Sequence, residues 1–253
     1  MNLDPFSALF AELGRLSLLD RLEREVRRRG YTLVAGVDEA GRGSLAGPVV
    51  AGAVILPADC VLPGLDDSKK LDAEARERLD VEIRRHAIAF AVGVIPAREI
   101  DIRDILRASL AAMKIAVLAL RPEAEVLICD AVAVPGIRRP QLPVIHGDAL
   151  CGSVAAASIV AKVHRDRILT DLARDYPVYG FEHHKGYGTP EHWDALRRYG
   201  PCPEHRLTYR GVVIDREWID EVEVESPADR RGARGGRRRG YGQTANLGLE
   251  FAE

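Results

Sequence analysis

Cysteine is scarce: the 253-residue chain has four (Cys60, Cys129, Cys151 and Cys202), none in a CxxC pair. That excludes a disulfide framework and leaves reduced thiols as the expectation. Aromatic residues make up only 6%, and Ala, Val, Leu and Ile carry the apolar load. Such a composition suits helices packed on a sheet better than an all-β sandwich. No apolar run approaches the roughly 18 residues needed to cross a bilayer, so no membrane partner is expected. The opening MNLDPFSALFAEL lacks the basic stretch and small-residue cleavage site of a secretory signal, which points to a cytoplasmic protein. Net charge is also small, −2 overall, but it divides unevenly: residues 1–225 carry −5 and residues 226–253 carry +3. Global charge therefore does not announce a nucleic-acid partner, and such a partner has to be argued from local clusters. What is plentiful is hydrophobic residues at 47%, enough to bury one sizeable core and to exclude global disorder.

Asp4-Pro5 opens a helix whose apolar residues Leu9, Phe10, Leu13, Leu16, Leu19, Leu22 and Val26 recur at helical spacing up to Gly30, making 1–30 a helical extension. Two β-branched runs, 31–38 and 49–56, flank a loop holding Gly41, Gly43, Gly47 and Pro48 and read as a hairpin-like pair. A charged helix follows over 72–86, opened by Asp72, then a buried strand over 87–95, and a helix over 101–120. VLICD (126–130) is a short apolar strand ending in an acid, and an alanine-rich helix spans about 149–175. Thr189-Pro190 caps a last helix that Gly200 ends. The order β-β-β-α-β-α predicts a mixed α/β sheet within one catalytic domain, 31–225, followed by an Arg/Gly-rich tail, 226–253.

Asp38 and Glu39 sit where the first strand meets the glycine-rich loop, Asp130 ends the VLICD strand, and Asp148 precedes the alanine-rich helix. Neighbouring strand residues point to opposite faces, so Asp38 and Glu39 share one site only if the backbone leaves strand geometry at Glu39. The following glycines permit that. Four acids without a Cys or His ligand set suit a hard cation such as Mg²⁺ or Mn²⁺ rather than zinc, and permit two-metal phosphodiester hydrolysis. Taken singly, Asp148 also reads as a helix cap and Asp130 as a strand-end turn residue.

VAGVDEAGRGSLAGPVVAGAVIL, DDSKKL, VLICD, AAASIVAKVHRDR, HHKGYGTPEHW and EHRLTY follow one another between about Leu33 and Tyr209. In that order they resemble ribonuclease HII. The resemblance implies an α/β ribonuclease H-like fold, a mixed five-stranded sheet flanked by helices. It also implies hydrolysis of the RNA strand of RNA/DNA hybrids and incision 5′ to single ribonucleotides in duplex DNA. On this resemblance Asp38, Glu39 and Asp130 match the family's metal-binding acids and Asp148 stands where the family has its fourth. Together they would hold Mn²⁺ or Mg²⁺, two ions when substrate is bound. Gly41, Arg42 and Gly43 look like a ribose-sensing loop, whose absent side chains let backbone approach the 2′-OH. Tyr187 resembles the tyrosine that packs on the sugar at the RNA-to-DNA junction. Ser68, Lys69, Lys70, His184 and Lys185 are candidate phosphate contacts. Asp166, four residues after Lys162, is expected in a structural ion pair. His86, His146 and His192 are expected to be structural or exposed, and His164, His183 and His205 lack metal spacing. About 30 residues precede the first strand, which favours type HII over HIII, and a monomer is expected. The alternatives are a non-catalytic protein that binds nucleic acid through its Arg/Gly tail, and a ribonuclease H fold that cuts DNA. The intact DEAGRG and Tyr187 elements disfavour both.

The tail stands on its own residues. Six arginines among glycines suit non-specific phosphate contact, and Leu247, Leu249 and Phe251 at the end are similar to the short peptides that bind sliding clamps. Deleting residues 226–253 is expected to leave turnover at saturating substrate unchanged while weakening duplex binding at low salt; a titration of binding against salt for both forms checks it.

Overall fold

The computed structural model describes residues 5–213. The two β-branched runs become β1 (Val34–Ala40) and β2 (Val49–Ile55), an antiparallel pair with Val37 opposite Ala53 and Glu39 opposite Ala51. β3 (Ala89–Ile95) adds antiparallel to β2, while β4 (Val126–Asp130) runs parallel to β1 and β5 (Gln141–Val144) parallel to β4. The result is a mixed five-stranded sheet of order β3-β2-β1-β4-β5.

Helices cover both faces. The first two are α1 (Pro5–Leu19) and α2 (Arg21–Arg28). They are followed by α3 (Ala73–His86), α4 (Ala97–Arg103) and α5 (Ile105–Ala119). After the last strand come α6 (Gly147–Leu150), α7 (Gly152–Asp175), α8 (Phe181–His184) and α9 (Pro190–Tyr199). Alanines 155, 156, 157 and 161 let α7 lie flat on the sheet, and strand glycines bring it closer still. A Cβ on Gly36 would stand 2.0 Å from the Ser153 carbonyl carbon, and one on Gly52 2.4 Å from the Ala157 oxygen. On the other face α5 approaches in the same way over Gly93, where a Cβ would meet the Ala112 oxygen at 2.1 Å. Apolar clusters fill both layers, Ala35, Val37, Ala51 and Met113 on the α5 side and Val50, Val54, Ile83 and Ile159 on the α7 side. A third cluster packs Tyr179, Phe181 and Leu196 against Leu45, Ala46 and Leu169, so α8 and α9 sit under the β1–β2 connection.

Several boundaries differ from the sequence expectation. The single helix expected over 5–29 breaks at Asp20, and Phe6, Leu9, Phe10 and Leu13 of its first half are exposed rather than core. The helix expected over 101–120 is two, because Asp104 takes a positive φ of 76° and its carboxylate caps α5 by accepting from Arg107 N at 2.9 Å. The helix expected from 149 breaks at Cys151, whose backbone is extended. β5 has no strand signal of its own. Its place is set by the Gln141 side chain, which bonds the backbone of Val134 and Ile137 and ties down the preceding loop.

Among the contacts that hold the N-terminal helices to the rest of the fold is a buried acid. Glu23, 2% exposed, accepts from Ser153 N at 2.7 Å and from the Cys151 thiol at 3.2 Å, so α2 caps the first turn of α7. Arg27 faces the other Glu23 oxygen at 3.1 Å.

Because backbone cannot step aside as a flexible side chain can, Gly36→Ala is expected to destabilise the fold by about 3 kcal/mol. Gly14→Ala, in a helix where a Cβ meets nothing within 4 Å, is expected to be neutral or stabilising. Paired urea melts read both.

Candidate active site

The parallel register that sets Val37 beside Cys129 makes Asp38 and Asp130 the next residues on neighbouring strands. Adjacent strands lie roughly 4.8 Å apart and aligned residues share a face. Both acids therefore point to the α7 side, as Gly36, Gly52 and Ile128 do. Gly147 N donates to Asp130 Oδ1 at 2.8 Å, which holds the start of α6 against β4 and delivers Asp148 to the same end of the sheet.

Asp38 is 4% exposed, and among the described residues its only hydrogen bond comes from Glu39 N at 2.7 Å. Burial raises its pKa well above the ordinary aspartate value, and repulsion from Glu39, Asp130 and Asp148 adds to that. Glu39 is raised by burial as well, against the pull of Arg42, whose guanidinium lies 3.1 Å away. Asp148 is buried and pairs with Lys69 Nζ at 3.2 Å. Burial works against the Lys69 charge, and the attraction of Asp148, Asp67 and Asp38 outweighs it, leaving the Lys69 pKa raised.

One expectation is corrected here. The backbone stays in strand geometry at Glu39, since β1 continues to Ala40, and it turns only at Gly41 with φ +91°. The Glu39 carboxylate nevertheless stays within electrostatic reach of Asp38, Asp130 and Lys69, because β4 stops at Asp130 and leaves this end of the sheet open. Among the described residues no three Asp, Glu, His or Cys side chains converge on one metal-holding point. Glu39 and Asp148 face Arg42 and Lys69 instead.

Gly41 has two reasons to be glycine, its positive φ and the Arg165 side chain, whose Nε would lie 2.0 Å from an added Cβ. Gly43 has neither: its φ is ordinary and a Cβ would meet nothing within 4 Å. The loop between them is held by Arg206, which donates to the carbonyls of Arg42, Gly47 and Pro48 at 2.9 to 3.1 Å, and by Tyr209, whose hydroxyl donates to the Arg42 carbonyl at 2.6 Å. Tyr187 is 37% exposed, with Lys162 Nζ and the Arg165 guanidinium each 5.4 Å from its ring centroid.

The candidate phosphate contacts separate. Lys69 reaches the acidic cluster and Ser68 is buried, whereas Lys70 pairs with Asp66 at 2.9 Å. Lys185 Nζ bonds the Thr170 hydroxyl and the Glu182 carbonyl. His184 is corrected: it is buried, and both ring nitrogens are spent inside the protein, on Tyr179 O at 2.7 Å and Gly186 N at 3.2 Å. Asp166 pairs with Lys162 at 2.6 Å, as its spacing suggests.

Two features escaped the sequence reading. Arg165 and Arg206 are fully buried, and Arg165 occupies the apolar row Ala161, Arg165, Leu169, Ala173 of α7, a legible but overlooked sign of a functional charge. His192 and His205 share an Nε2···Nε2 contact of 2.9 Å, with His184 stacked on His192 at 4.4 Å. Burial pushes His192 down to about 4 and His205 to about 3, so neither is charged at neutral pH. His192 Nδ1 also bonds the Tyr187 carbonyl at 2.9 Å, fixing the loop that carries the ring.

The family model described as Ribonuclease HII matches residues 35–212. The chain belongs to the ribonuclease HII family. The Geobacillus kaustophilus ribonuclease HII is 55% identical over 194 residues, which cover 77% of this chain and 74% of that protein. Among solved structures, the ribonuclease HII of the PCNA:RNase HII complex from Archaeoglobus fulgidus has a TM-score of 0.59 at 26% identity, covering 74% of this chain and 99% of that one. The Bst ribonuclease HIII in complex with Mn²⁺ shares the fold at TM-score 0.55 and 20% identity, over 74% of this chain and 70% of that one. As a member of that family the chain is an endonuclease of the ribonuclease H type, a phosphodiester hydrolase.

Because the Asp38 pKa is raised on folding, its charge costs stability at any pH above the ordinary aspartate value of 3.8. Asp38→Asn is therefore expected to raise the metal-free melting temperature at pH 7 by roughly 3 °C or more. The gain should shrink as pH falls toward 4, where wild type is protonated too; melts in chelator across that range check it.

Proposed function

We propose that this ribonuclease HII hydrolyses the RNA strand of RNA/DNA hybrids and incises 5′ to single ribonucleotides in duplex DNA, leaving a 3′-hydroxyl and a 5′-phosphate. The observation that carries the reading is Asp38: a buried carboxylate in no ion pair among the described residues, amid three other acids at the open end of the sheet. Such a cluster is costly unless a cation joins it. The all-oxygen donor set of Asp38, Glu39, Asp130 and Asp148 fits a hard divalent ion, Mg²⁺ or Mn²⁺. A pair of such ions would supply the Lewis acidity for attack of water on the phosphodiester. The ribonuclease HIII solved with Mn²⁺ on the same fold supports this.

The chain's own residues do the rest. Asp38 and Asp130, fixed by the strand pairing, are the rigid part of the donor set. Glu39 and Asp148 join it by releasing Arg42 and Lys69, and these two cations are then free to neutralise phosphates flanking the cut. Gly43, whose bareness no packing demands, lets loop backbone approach the 2′-OH, the group that separates RNA from DNA. The Tyr187 ring packs on the sugar after the cut and rejects a wrong sugar by shape. As water attacks and the 2′-OH does not, that hydroxyl serves recognition alone.

The tail belongs to the same proposal, although Leu247, Leu249 and Phe251 lie outside the described residues. PCNA is a sliding clamp, and the Archaeoglobus relative solved with it supports a docking role for those residues, with the arginines as a basic tether.

Asp130→Asn is expected to lower cleavage of both substrates by at least about 1,000-fold at saturating Mg²⁺, because Asn keeps the shape and loses the charge. Tyr187→Ala should cost incision at a single ribonucleotide roughly 10-fold more than cleavage of a long hybrid, where many registers are open and no deoxyribose need follow the cut. Equal losses in steady-state kinetics on the two substrates would make Tyr187 a packing residue.

A further inference from the structure

Arg165 is a fully buried guanidinium without a carboxylate partner among the described residues. It spends its donors on three backbone carbonyls, Pro48 at 3.0 Å, Ala46 at 3.0 Å and Lys185 at 2.9 Å. The first two lie in the β1–β2 connection, a few residues beyond Gly43. The third lies two residues before Tyr187. The same guanidinium sits 5.4 Å from the Tyr187 ring centroid, and its Nε fills the space left by the missing side chain of Gly41. One rigid planar group thus touches both halves of the sugar-testing surface.

The two loops also meet directly. Gly186 O accepts from Leu45 N at 2.8 Å and Ala46 N at 3.3 Å, and a Cβ on Gly186 would stand 2.6 Å from the Ala46 oxygen. The loops are therefore held at one separation, by a guanidinium whose fork cannot be copied by a lysine.

We propose that Arg165 is a positioning residue that fixes the distance between the Gly41–Gly43 loop and the Tyr187 ring, and that this distance sets how strongly the enzyme favours a ribose followed by deoxyribose over a run of riboses. The proposal rests on the reading of Tyr187 as the sugar-packing residue.

The test uses the full chain, with duplex DNA carrying one ribonucleotide and a long RNA/DNA hybrid as substrates. Arg165→Lys is expected to lower kcat/KM on the single ribonucleotide by roughly 10-fold or more, chiefly in kcat, and on the hybrid by less than about 3-fold. Combined with Tyr187→Ala it should add less than about 2-fold, since the two act as one unit. Equal losses on both substrates, or losses that multiply in the double variant, overturn the proposal and leave Arg165 a fold residue. Should Arg165→Lys fail to fold, Gly186→Ala wedges the same two loops apart without touching the arginine. A fall in its single-ribonucleotide to hybrid ratio supports the proposal, and an unchanged ratio in the folded variant overturns it. Equal losses from Tyr187→Ala alone would instead bring down the underlying reading of Tyr187, and the proposal with it.

Discussion

The fold around the site depends on two charges placed where charge is expensive. Arg165 and Arg206 are wholly buried, and burial lowers Arg165 to about 10, still well above neutrality, and lowers Arg206 from its usual value. Taking such a group out of water costs several kcal/mol. Each hydrogen bond from a charged donor returns roughly 1.5 to 3 kcal/mol, so the offset comes only if every donor finds an acceptor. The acceptors are carbonyls of Arg42, Ala46, Gly47, Pro48 and Lys185, in segments that have few backbone bonds of their own. Helix α7, the β1–β2 connection and the C-terminal helices become one body through these bonds. A loop rich in glycine, which would otherwise be slack, is thereby held rigid beside the acidic cluster.

The acidic cluster has the opposite electrostatics. Its carboxylates are gathered at one end of the sheet by strand pairing and by the Asp130–Gly147 bond, with their mutual repulsion only partly relieved by Lys69 and Arg42. Rigid cationic clamps beneath the loop and an under-compensated anionic cluster beside it form one site in two parts. In the proposed function the first part holds the shape that reads a sugar, and the second holds the charge that cleaves a phosphodiester.

The sequence was most informative where local chemistry and structure coincide. The acids are legible because charged residues ending apolar strands are unusual, and the strands because their β-branched runs are bounded by glycine and proline. What was illegible depends on tertiary partners. β5 is four residues containing Pro143 and exists through its pairing with β4 and the Gln141 side chain. The helix breaks at Asp20, Asp104 and Cys151 look like continuous periodicity, since one residue of altered backbone does not disturb an apolar pattern. His184 carries the composition of a phosphate contact, and only the packing of Tyr179 and Gly186 shows both its nitrogens taken. At Glu39 the backbone stays in the strand ladder where a bend was expected.

The central claim, that a cation-demanding acidic cluster cuts beside a ribose-reading loop, is tested most directly on a DNA duplex carrying one ribonucleotide, end-labelled and incubated with Mg²⁺ or with chelator. The account predicts a single incision 5′ to the ribonucleotide, with a 3′-hydroxyl and a 5′-phosphate, and none in chelator. Cleavage that persists in chelator, or a 2′,3′-cyclic phosphate at the cut, would contradict it.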